Sequence, residues 1–388
     1  MIVNVALKRF LINNIFPIFT LANKMIPKQK NTIFIYCANG ELNDNSEALF
    51  EYLVENRYYK EYRIVCGVKS PQMYKDMKRE NIKFIPLMLC GVQYMISGRV
   101  FYSMGKIPIK PSKNQCVINM WHGTAFKKIG LLSNKNNGTE FFFNYVCATS
   151  ELYSPIMAQA FGCPIENVCI CGEPKTDKLF LPKQENVKEK MVVWAPTYRQ
   201  SKFLGDYDSS EENLLPLFKN SEWGQLNEHL RKCKIKLIVK LHPMQDLQGF
   251  TYEKQSNLII YSDGQFKKEK LNLYEVLSQS DALITDYSSV SIEYLMVDRP
   301  ICYAFGDYNE YMNTRGFFFD NPLEYMPGEK VVNKEELYHF FKSIADGNDS
   351  YQKQRKLVNQ KVNYYNDGKN CERVLAISGI TPKDGTYG

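Results

Sequence analysis

At 388 residues, 44% hydrophobic and 23% charged, the chain has the composition of a globular protein and the length of two ordinary domains, which excludes a disordered or fibrous one. Forty-nine basic residues against 42 acidic ones leave a net charge of +7. That surplus suits an anionic partner but does not choose between phosphate, nucleic acid and membrane. Eleven cysteines include no C-x-x-C pair and no zinc-spaced Cys/His cluster, and most sit in apolar runs. They read as reduced core thiols of a cytosolic compartment rather than a metal site.

The first thirty residues, "MIVNVALKRFLINNIFPIFTLANKMIPKQK", are apolar but broken by Lys8, Arg9, Asn13, Asn14 and Pro17. No uninterrupted apolar run is long enough to span a bilayer, and no small-residue cleavage site follows. Apolar residues flanked by Lys24, Lys28 and Lys30 predict an amphipathic leader over 1–30. It either lies on an anionic membrane surface or packs on its own domain.

Next come alternating strands and helices. "NTIFIYCANG", "YRIVCGV", "IKFIPL", "VFYSMG" and "QCVINMW" read as buried strands, with "ELNDNSEALFEYLVEN" a capped helix after the first. "FFFNYVCATS", the helix "ELYSPIMAQAFG" and "NVCICGEPKTD" complete a first half over 31–186. "LPKQENVKEK" is charged and poor in apolar residues, a linker. The second half, 187–388, holds the strands "MVVWA", "KIKLIVKLHP", "NLIIYSD", "DALITDYSS" and "RPICYAF", and closes on helices from "NKEELYHFFKSIADG" onward, the last of which can cross back to the first half. Strands alternating with helices predict parallel sheets built of βαβ units.

The chemistry-bearing residues follow strands, where open parallel sheets bind ligands. "NMWHGTAFKKIG" presents His122 after a strand, with the Gly123 amide and the Thr124 hydroxyl as donors to an oxyanion and Lys127 and Lys128 close behind. An imidazole is the side chain most easily set as a general base near neutrality, though a lone histidine is more often structural. "WAPTYR" supplies Pro196, Thr197 and Arg199, whose planar fork suits phosphate or simply faces water. "KLHP" supplies Lys240 and a second strand-end histidine, His242, while His229 and His339 lie in polar helices and face solvent. In "ITDYSSVSIEYL", Asp286, Ser288 and Ser289 occupy N-cap positions, and free amides there favour an anion. Glu293, one turn on, is placed to reach a ribose diol. No G-x-x-x-x-G-K-S/T or strand-linked G-x-G-x-x-G is present, which disfavours a P-loop ATPase and an ordinary nicotinamide enzyme. No D-x-D stretch stands out as a donor-metal site, so no metal and no cofactor is expected; dispersed basic residues give nucleic acid no support.

Seven motifs in order, "NMWHGTAFKKIG", "GEPKTD", "WAPTYR", "KLHP", "ITDYSSVSIEYL", "RGFFFD" and "DGKNCERV", resemble the CDP-glycerol glycerophosphotransferase family, the teichoic acid primases and polymerases of bacterial walls with relatives in capsule synthesis. The resemblance implies a GT-B fold, two Rossmann-like domains with a cleft between them, an N-terminal acceptor domain and a C-terminal domain binding the CDP donor. It implies transfer of glycerol phosphate from CDP-glycerol to a hydroxyl of an undecaprenyl-diphosphate-linked disaccharide or its glycerol-phosphate-primed form, at the cytoplasmic face of the membrane, with CMP leaving. His122 takes the family's general-base position, and His242 that of the histidine facing the donor phosphates. The expected donor-binding set is Gly123, Thr124, Ala125, Phe126, Lys175, Pro196, Thr197, Arg199, Lys240, Ser288, Ser289 and Glu293, with Asp286 structural. Three positions depart from the commoner pattern: Lys175 for arginine, Glu293 for aspartate and Ala125 for proline. They leave CDP-ribitol, another polyol donor, or a GT-B glycosyltransferase using a nucleotide sugar as alternatives. One such unit after a leader is the size of a primase or short polymerase; oligomeric state is not legible.

Overall fold

The computed structural model describes residues 16–124, 126–133, 140–185, 187–197, 200–201, 206–207, 214–243, 245, 255–306, 308 and 316–381. Contacts divide the chain into two compact units. The first comprises Met1–His122, Asn136–Asp177 and Asp367–Gly388, and the second Gly123–Lys135 and Lys178–Asn366. The partition differs from the boundary expected at 186/187: it falls at 177/178, and the segment just after His122 belongs to the second unit.

The first unit carries seven parallel strands: β1 (Gln29–Tyr36), β2 (Arg63–Val68), β3 (Ile82–Pro86), β4 (Ser97–Tyr102), β5 (Cys116–Asn119), β6 (Tyr145–Ala148) and β7 (Val168–Ile170). Their order is β3-β2-β1-β4-β5-β6-β7. The sheet is covered on both faces, which is why its strands read as near-continuous apolar runs. Alternation sorts the side chains. Ile33, Ile35, Ile64 and Cys66 point to a core closed by α2 (Asp44–Glu55) through Leu49 and Leu53, and by the C-terminal helix, Asn370–Ile377, through Val374 and Leu375. Phe34 and Val65 point to the opposite core, closed by α1 (Phe16–Met25) through Ala22 and by α3 (Cys90–Ile96) through Tyr94 and Met95. The leader's residues 1–15 lie outside the described residues; the rest folds as α1 and then runs into β1.

The second unit repeats the plan with β8 (Lys190–Trp194), β11 (Ile235–Lys240), β12 (Leu258–Tyr261), β13 (Ala282–Thr285), β14 (Ile301–Ala304) and β15 (Glu329–Val331), ordered β12-β11-β8-β13-β14-β15 and all parallel. A two-residue hairpin, β9 (Gln200–Ser201) with β10 (Asp206–Tyr207), stands apart. Strand β15, absent from the sequence reading, forms one edge: "EKV" is too short and too charged to read as a strand. Both sheets thus have the doubly wound order in which the first strand sits beside the fourth, the Rossmann arrangement.

His229 does not face solvent as expected. Its ring stacks on Tyr338 at 4.1 Å between centroids, whereas His339 is exposed. All eleven cysteines are free thiols.

Candidate functional site

Each sheet has one switch point, between β1 and β4 and between β8 and β13, where the strand order reverses and ligands bind beyond the carboxyl ends. In the second unit the two strand ends are stitched together there. The Thr197 amide donates to Asp286 Oδ2 at 2.9 Å, the Thr197 hydroxyl donates to Oδ1, and the Thr285 hydroxyl donates to the Ala195 carbonyl at 2.8 Å. Asp286 therefore caps the Pro196-Thr197 turn rather than the helix after it, as sequence had suggested. That helix, α4 (Val290–Tyr294), is a single turn, and Ser289 at its N-cap makes no side-chain cap bond. Its dipole is short, so the anion pocket expected of Ser288 and Ser289 is not that of a long capped helix. Both serines sit half-buried in the turn itself.

Gly123 is pressed against that turn. Its φ of +138° is glycine territory, and a Cβ would lie 2.6 Å from Ser289 Oγ and 3.4 Å from Glu293 Oε1. Glu293 is buried rather than poised over solvent, and its Oε2 accepts the Tyr274 hydroxyl at 2.5 Å. Thr124, next to Gly123 in sequence, and Thr197, bonded to Asp286, are buried as well. Phe126, expected to touch the donor, is fully buried core; its carbonyl accepts the Phe318 amide at 2.8 Å, and Lys127 bridges Phe317, which clips "AFKK" to "RGFFFD". Ala125 and Arg199 lie outside the described residues.

Strand β11 delivers Lys240 and His242. Lys240 Nζ donates to Asp263 Oδ1 at 2.9 Å and to the Leu241 carbonyl at 2.8 Å. Burial lowers its pKa, with Asp263 pulling the other way. His242 is pushed down to about 4 by burial, then by the positive charges of Lys127 and Lys240, against the opposing pull of Asp286 and Asp263. At neutral pH the imidazole is uncharged amid ammonium groups, an arrangement that an arriving anion relieves.

In the first unit His122 follows β5 and is exposed. The backbone before it is held in an unusual shape: Trp121 has φ +57°, a left-handed conformation costly for a tryptophan. Three side chains hold it. Asn119 Oδ1 accepts the Trp121 amide at 3.0 Å. Asn45, buried at the start of α2, donates to the Trp121 carbonyl at 3.0 Å and, less directly, to that of Met120 at 3.4 Å. Lys175 Nζ donates to the His122 carbonyl at 3.1 Å, and its own amide donates to Asn45 Oδ1 at 3.0 Å. Lys175 is buried, with Asp44 at 3.1 Å and Glu173 at 3.5 Å. This engagement is inside the first unit, so Lys175 grips the histidine's backbone instead of joining the donor-binding set expected of it. The Trp121 ring lies 4.0 Å from the His122 ring and 4.7 Å from Phe161, a wall for the imidazole. Asn45, Asp44 and Asn119 escaped the sequence reading, which saw in "NDNS" only a helix start.

The two doubly wound sheets give the chain a GT-B-type fold. The family model for CDP-glycerol:poly(glycerophosphate) glycerophosphotransferases matches residues 18–377, and the chain belongs to that family. Its class is polyol-phosphate transfer in teichoic acid synthesis, with glycerol and ribitol both represented among its relatives. The chain is 27% identical over 382 residues to the teichoic acid poly(ribitol-phosphate) polymerase of Bacillus spizizenii, with 91% of this chain matched but only 56% of that protein. It is 25% identical over 409 residues to the teichoic acid glycerol-phosphate transferase of Staphylococcus aureus, covering 95% of this chain and 97% of that one. The solved structure of the wall teichoic acid polymerase TagF superposes with a TM-score of 0.74 at 20% identity, over 97% of this chain and 94% of the other, a likeness of fold.

Proposed function

We propose that the chain transfers glycerol phosphate from CDP-glycerol to a hydroxyl of a membrane lipid-linked acceptor, in teichoic acid or related capsule synthesis, as a primase or short polymerase at the cytoplasmic face of the membrane. The acceptor oxygen attacks the phosphorus bearing glycerol, the bond from that phosphorus to the CMP oxygen breaks, and the acceptor proton passes to His122. CMP leaves with the former bridging oxygen. Lys240, Lys127 and the neutral His242 receive the diphosphate charge. The Gly123–Ser289 contact and the Thr197–Asp286 turn shape the pocket edge, with Thr124, Pro196 and Ser288 beside them. No metal or cofactor takes part in this reading.

The observation that carries it is His242: an imidazole kept uncharged by burial and by two ammonium groups, in the same unit as the stitched turn. That electrostatic state asks for an anion. His122 joins Gly123 through one peptide bond, so the base is tethered about 3.8 Å, Cα to Cα, from the residue packed on Ser289. A CDP-ribitol donor is the second reading, favoured by the ribitol-phosphate polymerase among the relatives.

The test is CMP release and product mass with CDP-glycerol, CDP-ribitol and a UDP-sugar, each with and without a lipid-linked disaccharide and its glycerol-phosphate-primed form. Acceptor-dependent consumption of CDP-glycerol supports the proposal. Consumption of CDP-ribitol alone moves it to the second reading, and turnover of the UDP-sugar alone ends both. His122→Ala abolishes turnover while CDP-glycerol still binds; a variant with parental turnover removes His122 as base.

A further inference from the structure

The first unit has an opening at the end of its sheet opposite His122. A cavity of about 460 Å³ lies at the amino ends of β1, β2 and β3, and its lining includes Lys30, Thr32, Glu61, Tyr62, Arg63 and Asn81. The strands are parallel and His122 follows the carboxyl end of β5. The six residues of β2 therefore put about 20 Å between this cavity and the level of the histidine.

Strand register builds one wall. Thr32 pairs with Arg63 across β1 and β2, and the pairing of Ile64 with Ile82 sets Asn81 beside Arg63. Asn81 is held in the left-handed region at φ +63°, with its side-chain amide donating to the Tyr59 carbonyl at 3.1 Å. Its Oδ1 is the acceptor it offers the cavity. Arg99, on β4, backs another wall. It donates to the carbonyls of Lys30 and, at 2.9 Å, Ser378, and its guanidinium lies 5.7 Å from the centre of the Tyr62 ring.

Arg63 is the residue the fold does not explain. It is half-buried at the start of β2, and its Nε is shut off from water with no hydrogen-bond partner among the described residues. A secluded guanidinium N–H without an acceptor is costly, and an arriving oxyanion removes that cost. Exposed Lys30 shares the lining, and Arg99 adds a third positive charge behind Tyr62. Against them the lining sets one exposed carboxylate, Glu61. An ionised carboxylate only accepts, so it suits a hydroxyl and not a second anion.

We propose that this cavity binds a small polyol phosphate, with its phosphoryl oxygens on Arg63 and Lys30 and its hydroxyls on Glu61, Thr32 and Asn81. The arginine fork suits phosphate, and the volume falls within the range of about 300–1,000 Å³ typical of small-molecule sites. The inference goes beyond the transfer reading and does not depend on it. The same chemistry occurs in a free monoester and in the phosphodiester of a lipid headgroup.

The test is isothermal titration calorimetry of the full chain with sn-glycerol 3-phosphate, glycerophosphoglycerol, inorganic phosphate and glycerol. No turnover is read, so failure of the transfer reading leaves the result standing, and the reverse. The monoester is expected to bind, inorganic phosphate at least tenfold more weakly, and glycerol not at all. Tighter binding of the diester assigns the headgroup as the source. Arg63→Gln weakens the monoester by roughly tenfold or more. Lys30→Gln, at an exposed position, weakens it in the same direction and serves where Arg63→Gln does not fold. Absence of binding to the parent, or parental affinity in both variants, overturns the site. Affinity lost in His242→Ala but kept in Arg63→Gln moves the ligand to the strand-end site and overturns it equally. Inorganic phosphate binding as tightly as the monoester overturns the polyol part.

Discussion

Replacing Lys175 by methionine tests how the His122 backbone is held. The substitution keeps the length and most of the apolar stem but removes the ammonium that donates to the His122 carbonyl at 3.1 Å. A hydrogen bond from a charged donor contributes about 1.5–3 kcal/mol. If that energy is spent keeping the imidazole in place for the transition state, kcat falls by roughly ten- to a hundredfold at about 1.4 kcal/mol per decade. Asp44 and Glu173 lose their buried cation as well, so the fold is expected to lose about 3–5 kcal/mol. The two effects separate by assay. Initial rates of CMP release at a temperature where circular dichroism shows the variant folded give kcat and the donor KM. The donor KM stays near the parental value, because the groups assigned to the donor lie in the second unit. Lys175→Arg restores the charge and most of the kcat. Refutation is simple: a folded Lys175→Met protein with parental kcat, or an equal loss in Lys175→Arg, shows that the clamp does not position the histidine.

Three further outcomes follow from geometry already described. Gly123→Ala places a methyl 2.6 Å from Ser289 Oγ on a backbone with φ +138°, so kcat/KM for the donor drops by roughly tenfold or more; adding Ser289→Gly recovers part of it, and full parental activity in Gly123→Ala refutes the close approach. The His242 ring, followed by NMR, stays neutral until the pH approaches about 4. A folded pKa below the unfolded value of 6.5 makes stability fall as pH drops from 6.5 toward 4, where the unfolded chain takes up the proton first. CDP-glycerol raises that pKa by offsetting Lys127 and Lys240; an unmoved titration in the presence of saturating donor refutes diphosphate binding at His242. Thr197→Val leaves the buried Asp286 carboxylate short of one donor and costs about 1–3 kcal/mol, read as an earlier denaturant midpoint; an unchanged midpoint refutes the stitch.

The strands were legible because doubly covered parallel sheets demand unbroken apolar runs, and "TIFIY" or "IKLIV" has no other comfortable place. The histidines were legible because each directly follows such a run. Asn45 was not: its role depends on strand order bringing residues 45 and 121 together, and its local pattern is that of any helix start. Lys175 looked like a phosphate ligand from its motif, whereas its burial beside Asp44 is a tertiary fact. Phe126 was misplaced for a related reason, since a loop phenylalanine two residues after Gly-Thr reads as ligand-facing until the "RGFFFD" segment is seen to cover it.

The path of the chain restricts how such an enzyme can be divided or recombined. The polypeptide leaves the first unit at 122, returns at 136, leaves again at 177 and returns at 367. No single breakpoint therefore leaves both units whole: cutting after 177 strips the first sheet of the helix bearing Val374 and Leu375, whose start is pinned by Asp177 through the Asn370 and Cys371 amides at 2.8 Å. Exchange of donor preference between such proteins by shuffling therefore requires a paired set of junctions, with the short 123–135 insert travelling alongside the larger block.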